Sequence, residues 1–309
     1  MLSAISVDLD SLTHYCRIQG LPESLLDERA RSLVAEKAIP RFLELFAAVK
    51  APATFFVIGG DVALPGMKRA LRASLEAGVE LASHTQSHAY EISRWPKANI
   101  EADLVRCEEA LAEVGTTPRG FRAPGYTMTP TLLEAVVARG YEYDSSTFPA
   151  TPYYLAKASV MGALAVMGRP SRAILDSPRV LAAPRTPYRP ALENPYQRGT
   201  APVIELPMAV APISRLPFIG TFATSAPWPL VELTFRSFKR DRLFNFELHA
   251  IDVLDETDGI PEALVRQQRD LRVPVREKLD RLRKLFAWLG VDRERVTVLE
   301  AARRLRALV

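Results

Sequence analysis

Cysteine is nearly absent: Cys16 and Cys107 are the only two in 309 residues, far apart and without a CxxC. That excludes a disulfide framework and a thiolate zinc site, and it predicts two buried or half-buried thiols. Histidine is scarce too, with four in the chain. No apolar run reaches the roughly 20 residues that span a bilayer. The nearest, residues 158–167, follows Lys157 and reads as a buried or surface-lying helix. A strong surplus of one charge is also missing. Lys and Arg number 40 against 36 Asp and Glu, and a net +4 in a mixed population gives no ground for a nucleic-acid partner. The opening MLSAISVDLD has no basic n-region and reaches an acid at Asp8, which does not suit a secretory signal, so the expected compartment is the cytoplasm.

What the chain does have is apolar substance, 48% of its residues, enough for a sizeable core in a single domain over 1–309. From residue 2 to about 150, short apolar runs alternate with longer amphipathic ones, the pattern of β/α units around a largely parallel sheet. Strands are expected at 2–9, 53–58, 79–83, 120–124 and 141–144. Helices are expected at 29–50 with a kink at Pro40, at 67–77, at 99–114, and after Thr129, an N-cap followed by Pro130 at the first helical position. Between 149 and 229 the rhythm breaks: 14 of the 24 prolines fall there among many aromatic and aliphatic residues, which predicts a structured, loop-rich insertion. A strand at 243–249 and helices near 262–289 and 298–308 complete the chain, and no repeat of solenoid length is visible.

Two of the four histidines stand four apart in His84-Thr85-Gln86-Ser87-His88, just past an expected strand. On a helical turn this spacing puts both imidazoles on one side, close enough to chelate one cation; two ordinary capping or exposed histidines are the alternative. Val7-Asp8-Leu9-Asp10-Ser11 ends the first strand, where residues two apart point the same way, so two carboxylates leave the sheet together. Strand ends of a parallel sheet share a mouth, and two histidines with one aspartate suit zinc, iron or another divalent transition metal. The second carboxylate would then be free to act as a base, provided a counter-charge keeps it ionised. Arg122 in Phe121-Arg122-Ala123-Pro124-Gly125-Tyr126 is the candidate counter-charge, with a surface salt bridge as its other reading. His249 closes the run Phe244-Asn245-Phe246-Glu247-Leu248-His249, where it is either a half-buried hydrogen-bonded residue or a proton donor to a leaving group.

In chain order these segments resemble the motifs of the polysaccharide deacetylase family, the NodB homology or carbohydrate esterase family 4-like group. Asp8-Leu9-Asp10 is similar to the D-x-D form of the first motif, His84 to His88 to H-[ST]-x-x-H, Arg122-Ala123-Pro124 to R-x-P, and Leu248-His249 to the L-H strand end. The resemblance covers about 4–149 and 243–252. It implies an α/β fold, a distorted (β/α) barrel of about seven strands, with the proline-rich loop insertion at about 149–229 as an addition. It also implies one divalent metal ion, zinc first with cobalt, iron, nickel or manganese as alternatives, held by Asp10, His84 and His88. Asp8 would be the general base, Arg122 would hold it ionised and oriented, and His249 would protonate the departing amine. Gly125, through its backbone N–H, and Tyr126 would face the oxyanion and the substrate. One motif departs: where the family often has D-x-x-D-W, Asp144-Ser145-Ser146-Thr147 keeps the first acid and has threonine at the second. The residue that sets the pKa of His249 is therefore open, with Glu205 and Glu247 as substitutes, and Asp144 reads as structural.

The implied activity is metal-dependent hydrolysis of an N-acyl group, above all N-acetyl, from an amino sugar or a sugar-containing precursor. With no export signal read, a nucleotide- or lipid-linked sugar is expected ahead of a wall polymer, and peripheral membrane contact through 158–167 is allowed. A cyclic imide or ureide amidohydrolase, or a deformylase, is the alternative on the same scaffold, and a non-catalytic glycan-binding module is the third. Tyr153, Tyr154, Tyr188, Arg189 and Trp228 of the insertion are the candidate substrate contacts.

Overall fold

The first strand is buried on both faces, as the unbroken run Ala4-Ile5-Ser6-Val7 requires of a strand inside a parallel sheet. This computed structural model describes residues 1–166 and 174–309, so the last residue of the apolar run 158–167 lies outside them. The strands are β1 (Leu2–Asp8), β2 (Thr54–Val57), β3 (Glu80–Ser83), β4 (Gly120–Phe121), β5 (Tyr143–Asp144), β6 (Pro190–Ala191), β7 (Asn194–Arg198), β8 (Ile204–Glu205), β9 (Leu243–His249) and β10 (Glu294–Val296). The order β9-β1-β2-β3-β4-β5-β8 is parallel throughout, and β10 pairs with the first half of β1 beside β2. Closure between β8 and β9 is irregular. Ala209 N–H donates to the Asn245 carbonyl at 2.9 Å, and the Asn245 amide donates to the Leu206 carbonyl at 2.8 Å, in place of a regular ladder. The result is the expected distorted barrel of seven strands, with β10 appended.

The helix Val298–Leu305 closes the barrel at the strand N-termini. Its first N–H groups donate to the Thr54 hydroxyl (2.9 Å) and the Glu80 carboxyl (3.0 Å), while Val298, Ala301 and Leu305 pack with Phe56, Tyr143 and Ile204. The opposite end, where the strand C-termini converge, is left for the site. No helix among the described residues is long and apolar enough to cross a membrane.

Three sequence expectations shift. The helix expected at 29–50 is Glu28–Leu33 and Ile39–Val49 joined by a π-helical turn, Val34–Ala38. Pro40 lies at the start of the second piece: it has no N–H for the regular ladder, and the wider turn ahead of it absorbs the mismatch. The helix near 262–289 is two, Glu262–Gln267 and Val275–Leu289, the second starting directly after Pro274. The span 149–229 is not purely an insertion, because β8 inside it is the sixth barrel strand, paired to β5. Around β8 the span adds the helix Thr151–Val166, the β6–β7 hairpin and the helix Gly220–Ser225. Helix Pro130–Ala138 forms as expected, the Thr129 hydroxyl accepting from Leu132 N–H at 3.3 Å.

Candidate active site

The ends of β1, β3, β4 and β9 meet at one cavity of about 540 Å³, and Asp8, Asp10, His84, His88, Gly125, Tyr126 and His249 all line it. Asp8 is the last residue of β1, and Asp10 follows two residues on, so both carboxylates point the same way and both are buried.

The histidines reach the site by a route the sequence reading did not foresee. His84 to His88 make no helical turn: Thr85 (φ 66°) and His88 (φ 50°) are left-handed, and the segment is a pinned loop. Gly59 and Gly60 N–H donate to the Thr85 and Gln86 carbonyls, each at 2.9 Å, and Gln86 N–H donates to Asp103 Oδ1 at 2.8 Å. Gly59 permits this approach, since a Cβ there would stand 2.1 Å from Gln86 Oε1 and 2.8 Å from the Cys107 backbone. Positive φ at two non-glycine residues is strain held by that surrounding structure, and it turns both rings inward to centroids 4.8 Å apart.

Donor atoms of Asp10, His84 and His88 lie within 4.8 Å of one another. Asp10 Oδ1 is 3.6 Å from His84 Nε2 and 3.4 Å from His88 Nε2, is buried, and has no hydrogen-bond partner. His84 Nδ1 donates to the Arg122 carbonyl at 2.8 Å, which leaves Nε2 bare for a cation. Burial, aided by the neighbouring histidines, pushes His88 well below its usual pKa, so it is a neutral imidazole. Burial raises the Asp10 carboxyl, with His84 and His249 offsetting only part of that. A desolvated carboxylate with an orphaned oxygen facing two bare imidazole nitrogens is a donor set that fits a divalent transition metal.

Asp8 is placed differently. Arg122, wholly buried, donates from Nη1 to Asp8 Oδ1 at 2.5 Å, while its other donors go to Ser6 Oγ (3.0 Å), Ser145 Oγ (3.0 Å) and the Ser145 carbonyl (2.8 Å). Burial works to raise the Asp8 carboxyl, but the charges of Arg122, then His84 and His249, outweigh it and hold the group below the ordinary carboxylate value. Asp8 Oδ2 is left facing His84 Nε2 at 3.8 Å.

His249 stands beside Asp8 in register across β1 and β9. Its Nδ1 lies 2.9 Å from Glu247 Oε1, and its Nε2 is 3.2 Å from the Tyr126 hydroxyl, which donates to the same Glu247 oxygen at 3.1 Å. Burial works to lower the His249 pKa, but Glu247, then Asp8 and Asp10, carry it well above the usual value, so the ring is an imidazolium at neutral pH. Asp8, Glu247 and His249 also cluster within 4.8 Å, but the guanidinium already bound to Asp8 makes this an acid–base pair instead of a second cation site.

Of the two substitutes for the missing fourth-motif acid, Glu247 touches His249. Glu205 instead accepts from Thr147 N–H at 2.9 Å beside Asp144; desolvation raises both carboxyls, Asp144 to about 6, and the Asp144 charge raises Glu205 further. Of the five insertion residues expected to contact substrate, Tyr153 alone lines the cavity. Tyr154 donates to the Asp176 carbonyl (3.1 Å), Tyr188 donates to the Pro195 carbonyl (2.7 Å), the Arg189 carbonyl accepts from Gly199 N–H (2.8 Å), and Trp228 packs at a tilt against Trp288, 5.2 Å between ring centres. The Tyr154, Tyr188 and Trp228 side chains thus have partners elsewhere. The sequence reading missed Tyr15, Tyr90, Lys157, Ile219 and Phe222, all of which line the cavity.

It also missed His14. This buried ring sits 3.1 Å from both Asp61 oxygens and meets the His88 ring edge-on at 4.5 Å, backing that ring from behind. The one signal available in the sequence was the nearness of Tyr90 to His88 along the chain.

The family model described as polysaccharide deacetylase matches residues 30–143, which include His84, His88, Arg122, Gly125 and Tyr126 but not Asp8, Asp10 or His249. A peptidoglycan deacetylase of Helicobacter pylori is 30% identical over 158 residues, 50% of this chain and 53% of the relative, so the match spans about half of each. In fold, the chain is similar to a crystal structure from Mycobacterium smegmatis described as a polysaccharide deacetylase, at TM-score 0.62, 16% identity, and coverage of 99% of this chain and 90% of that one. The Puue allantoinase structure is similar at TM-score 0.58, 15% identity, and coverage of 99% and 91%.

Proposed function

We propose that the chain is a member of the polysaccharide deacetylase family, whose model matches residues 30–143, and that it is a metal-dependent hydrolase removing an N-acyl group, foremost N-acetyl, from an amino sugar or sugar-containing precursor. One observation carries the reading. A metal-donor triad, an arginine-held carboxylate and a carboxylate-held imidazolium all face one cavity.

A divalent ion held by Asp10, His84 and His88 would supply Lewis acidity toward an acyl carbonyl and make a neighbouring water more acidic. The rest is the work of the chain. Asp8, ionised and fixed through Oδ1 by Arg122, takes the proton of the attacking water on Oδ2. His249, on the other side of Asp8, starts protonated and gives its proton to the departing nitrogen as the C–N bond breaks. Tyr126, whose buried phenol burial keeps protonated, holds the His249 ring in place, and Gly125 presents backbone at the cavity wall. The assigned roles are ones that amide hydrolysis needs, and none is duplicated.

A second reading, opening of a cyclic imide or ureide ring, uses the same proton transfers and is favoured by the cavity walls, where Tyr15, Tyr90, Tyr153, Ile219 and Phe222 present mostly apolar surface to the site.

Metal content of purified wild type and Asp10→Asn, measured together with acetate and formate release from N-acylated sugars, nucleotide sugars and cyclic imides, tests both readings. Near-stoichiometric divalent metal in wild type, strongly reduced in the variant along with acyl release, is expected. Turnover that survives full removal of metal would overturn the proposal.

A further inference from the structure

Outside the catalytic groups, the cavity has one basic side chain among the described residues, Lys157. It stands one helical turn after Tyr153 on Thr151–Val166, so both project from the same helix face into the cavity wall, with Nζ 5.8 Å from the Tyr153 ring centre. No carboxylate among the described residues forms an ion pair with it. The nearest acid acting on it is Asp176, whose oxygens are taken by Ser177 N–H (2.6 Å) and the Tyr196 hydroxyl (2.5 Å). Residues 167–173, Met-Gly-Arg-Pro-Ser-Arg-Ala, add no acid by sequence. Burial lowers the Lys157 pKa, as desolvation of an ammonium without a close partner does.

A half-buried ammonium of this kind is costly unless something supplies the counter-charge. The cavity walls around it offer tyrosine rings, Ile219 and Phe222, and the only carboxylates lining the cavity among the described residues, Asp8 and Asp10, sit beside Arg122 and the two histidines. We infer that Lys157 is a substrate-binding residue that receives an anionic group, carboxylate or phosphate, carried by the substrate away from the scissile amide. The inference rests on the amide-hydrolase reading and narrows it to anionic N-acyl substrates. Tyr153 frames the ammonium and limits how far the anion can shift.

The test compares N-acetylglucosamine, N-acetylmuramic acid and N-acetylglucosamine 6-phosphate as substrates of wild type, Lys157→Met and Lys157→Arg, with folding checked by thermal melt. The ratio of kcat/KM for each anionic sugar over the neutral one should fall roughly 10- to 100-fold in Lys157→Met and recover in part in Lys157→Arg. The two acidic sugars separate carboxylate from phosphate recognition. An unchanged ratio would overturn the inference. If no sugar is hydrolysed, that failure belongs to the function, and the subsite is read without turnover: protein reductively dimethylated with ¹³C is titrated with inorganic phosphate and with acetate. The resonance missing in Lys157→Met should shift saturably. A resonance that stays put with both anions sinks the subsite as well.

Discussion

Glu247 and His249 are two apart on a buried strand, so both side chains leave β9 on one face, and a carboxylate meets an imidazole 2.9 Å away without help from another element. In the motif resemblance the tuning acid is expected at the position of Thr147. Here Thr147 hydrogen-bonds to Tyr188 and Glu205, and the duty has moved onto the histidine's own strand. The consequence is measurable. A ring whose pKa is raised stays protonated through neutrality and loses its proton only on the alkaline side, which sets that limb of the rate profile. In Glu247→Gln the largest raising influence goes, and the alkaline limb should move to lower pH while the acid limb, governed by Asp8, stays. A pH series of kcat on any turned-over substrate checks this; an unmoved alkaline limb would show that another group carries it. This pair was legible in the residues Glu247-Leu248-His249 once the strand was assigned. His14 was not: nothing in its spacing says that a helix starting after Asp10 turns it onto the back of His88.

Elements with strong periodicity or a clear cap were readable in advance: β1, β9 and the helix after Thr129 lie where the pattern put them. The two-residue strands β4 and β5 fall inside the expected 120–124 and 141–144, but β6 and β8 were not read in advance. β8 consists of Ile204–Glu205, too short for alternation to show, inside a proline-rich span whose composition speaks for loops. The same limit hid the histidine loop, because left-handed Thr85 and His88 are imposed by Gly59, Gly60 and Asp103 and not by their own preferences. The loop after β4 is similarly constrained. Gly125 is left-handed (φ 62°), and a Cβ there would stand 2.5 Å from the Tyr90 ring. Gly125→Ala should therefore cost about 1–2 kcal/mol of stability from the backbone alone. It should cost activity more severely, by roughly 10-fold or beyond, since Tyr90 and Tyr126 both wall the site and small displacements are expensive there. Urea unfolding and kcat/KM measured on one preparation separate the two effects. Equal and small changes in both would show that the loop yields.

At the scale of the whole molecule, the site end of the barrel is tied to its surroundings by charge as well as by packing. Asp258, in the segment that follows β9, accepts from Arg41 Nη1 (2.6 Å) and Nη2 (2.8 Å) and from Lys37 Nζ (2.8 Å), joining that segment to the first long helix pair. Burial would raise this carboxyl, yet the bonds from Arg41 and Lys37 hold it down at about 2. A folded-state value below the unfolded one gives stability that is present above the unfolded carboxylate pKa and disappears as pH falls through 2. Asp258→Asn should lower unfolding stability by on the order of 2 kcal/mol at pH 7. The gap between variant and wild type should close as the pH is taken from about 4 towards 2, as denaturant titrations along that range would show. A gap that persists at pH 2 would assign the loss to shape and not to charge. A different kind of tie runs through Arg122, whose carbonyl fixes the His84 tautomer while its guanidinium fixes Asp8. One residue thus holds the proposed metal ligand through its main chain and the proposed base through its side chain, so the two cannot drift independently. On the proposed assignment, moving His84 to suit another metal also resets the strength of the base, and a redesign has to treat residues 8, 84 and 122 as a single adjustable part.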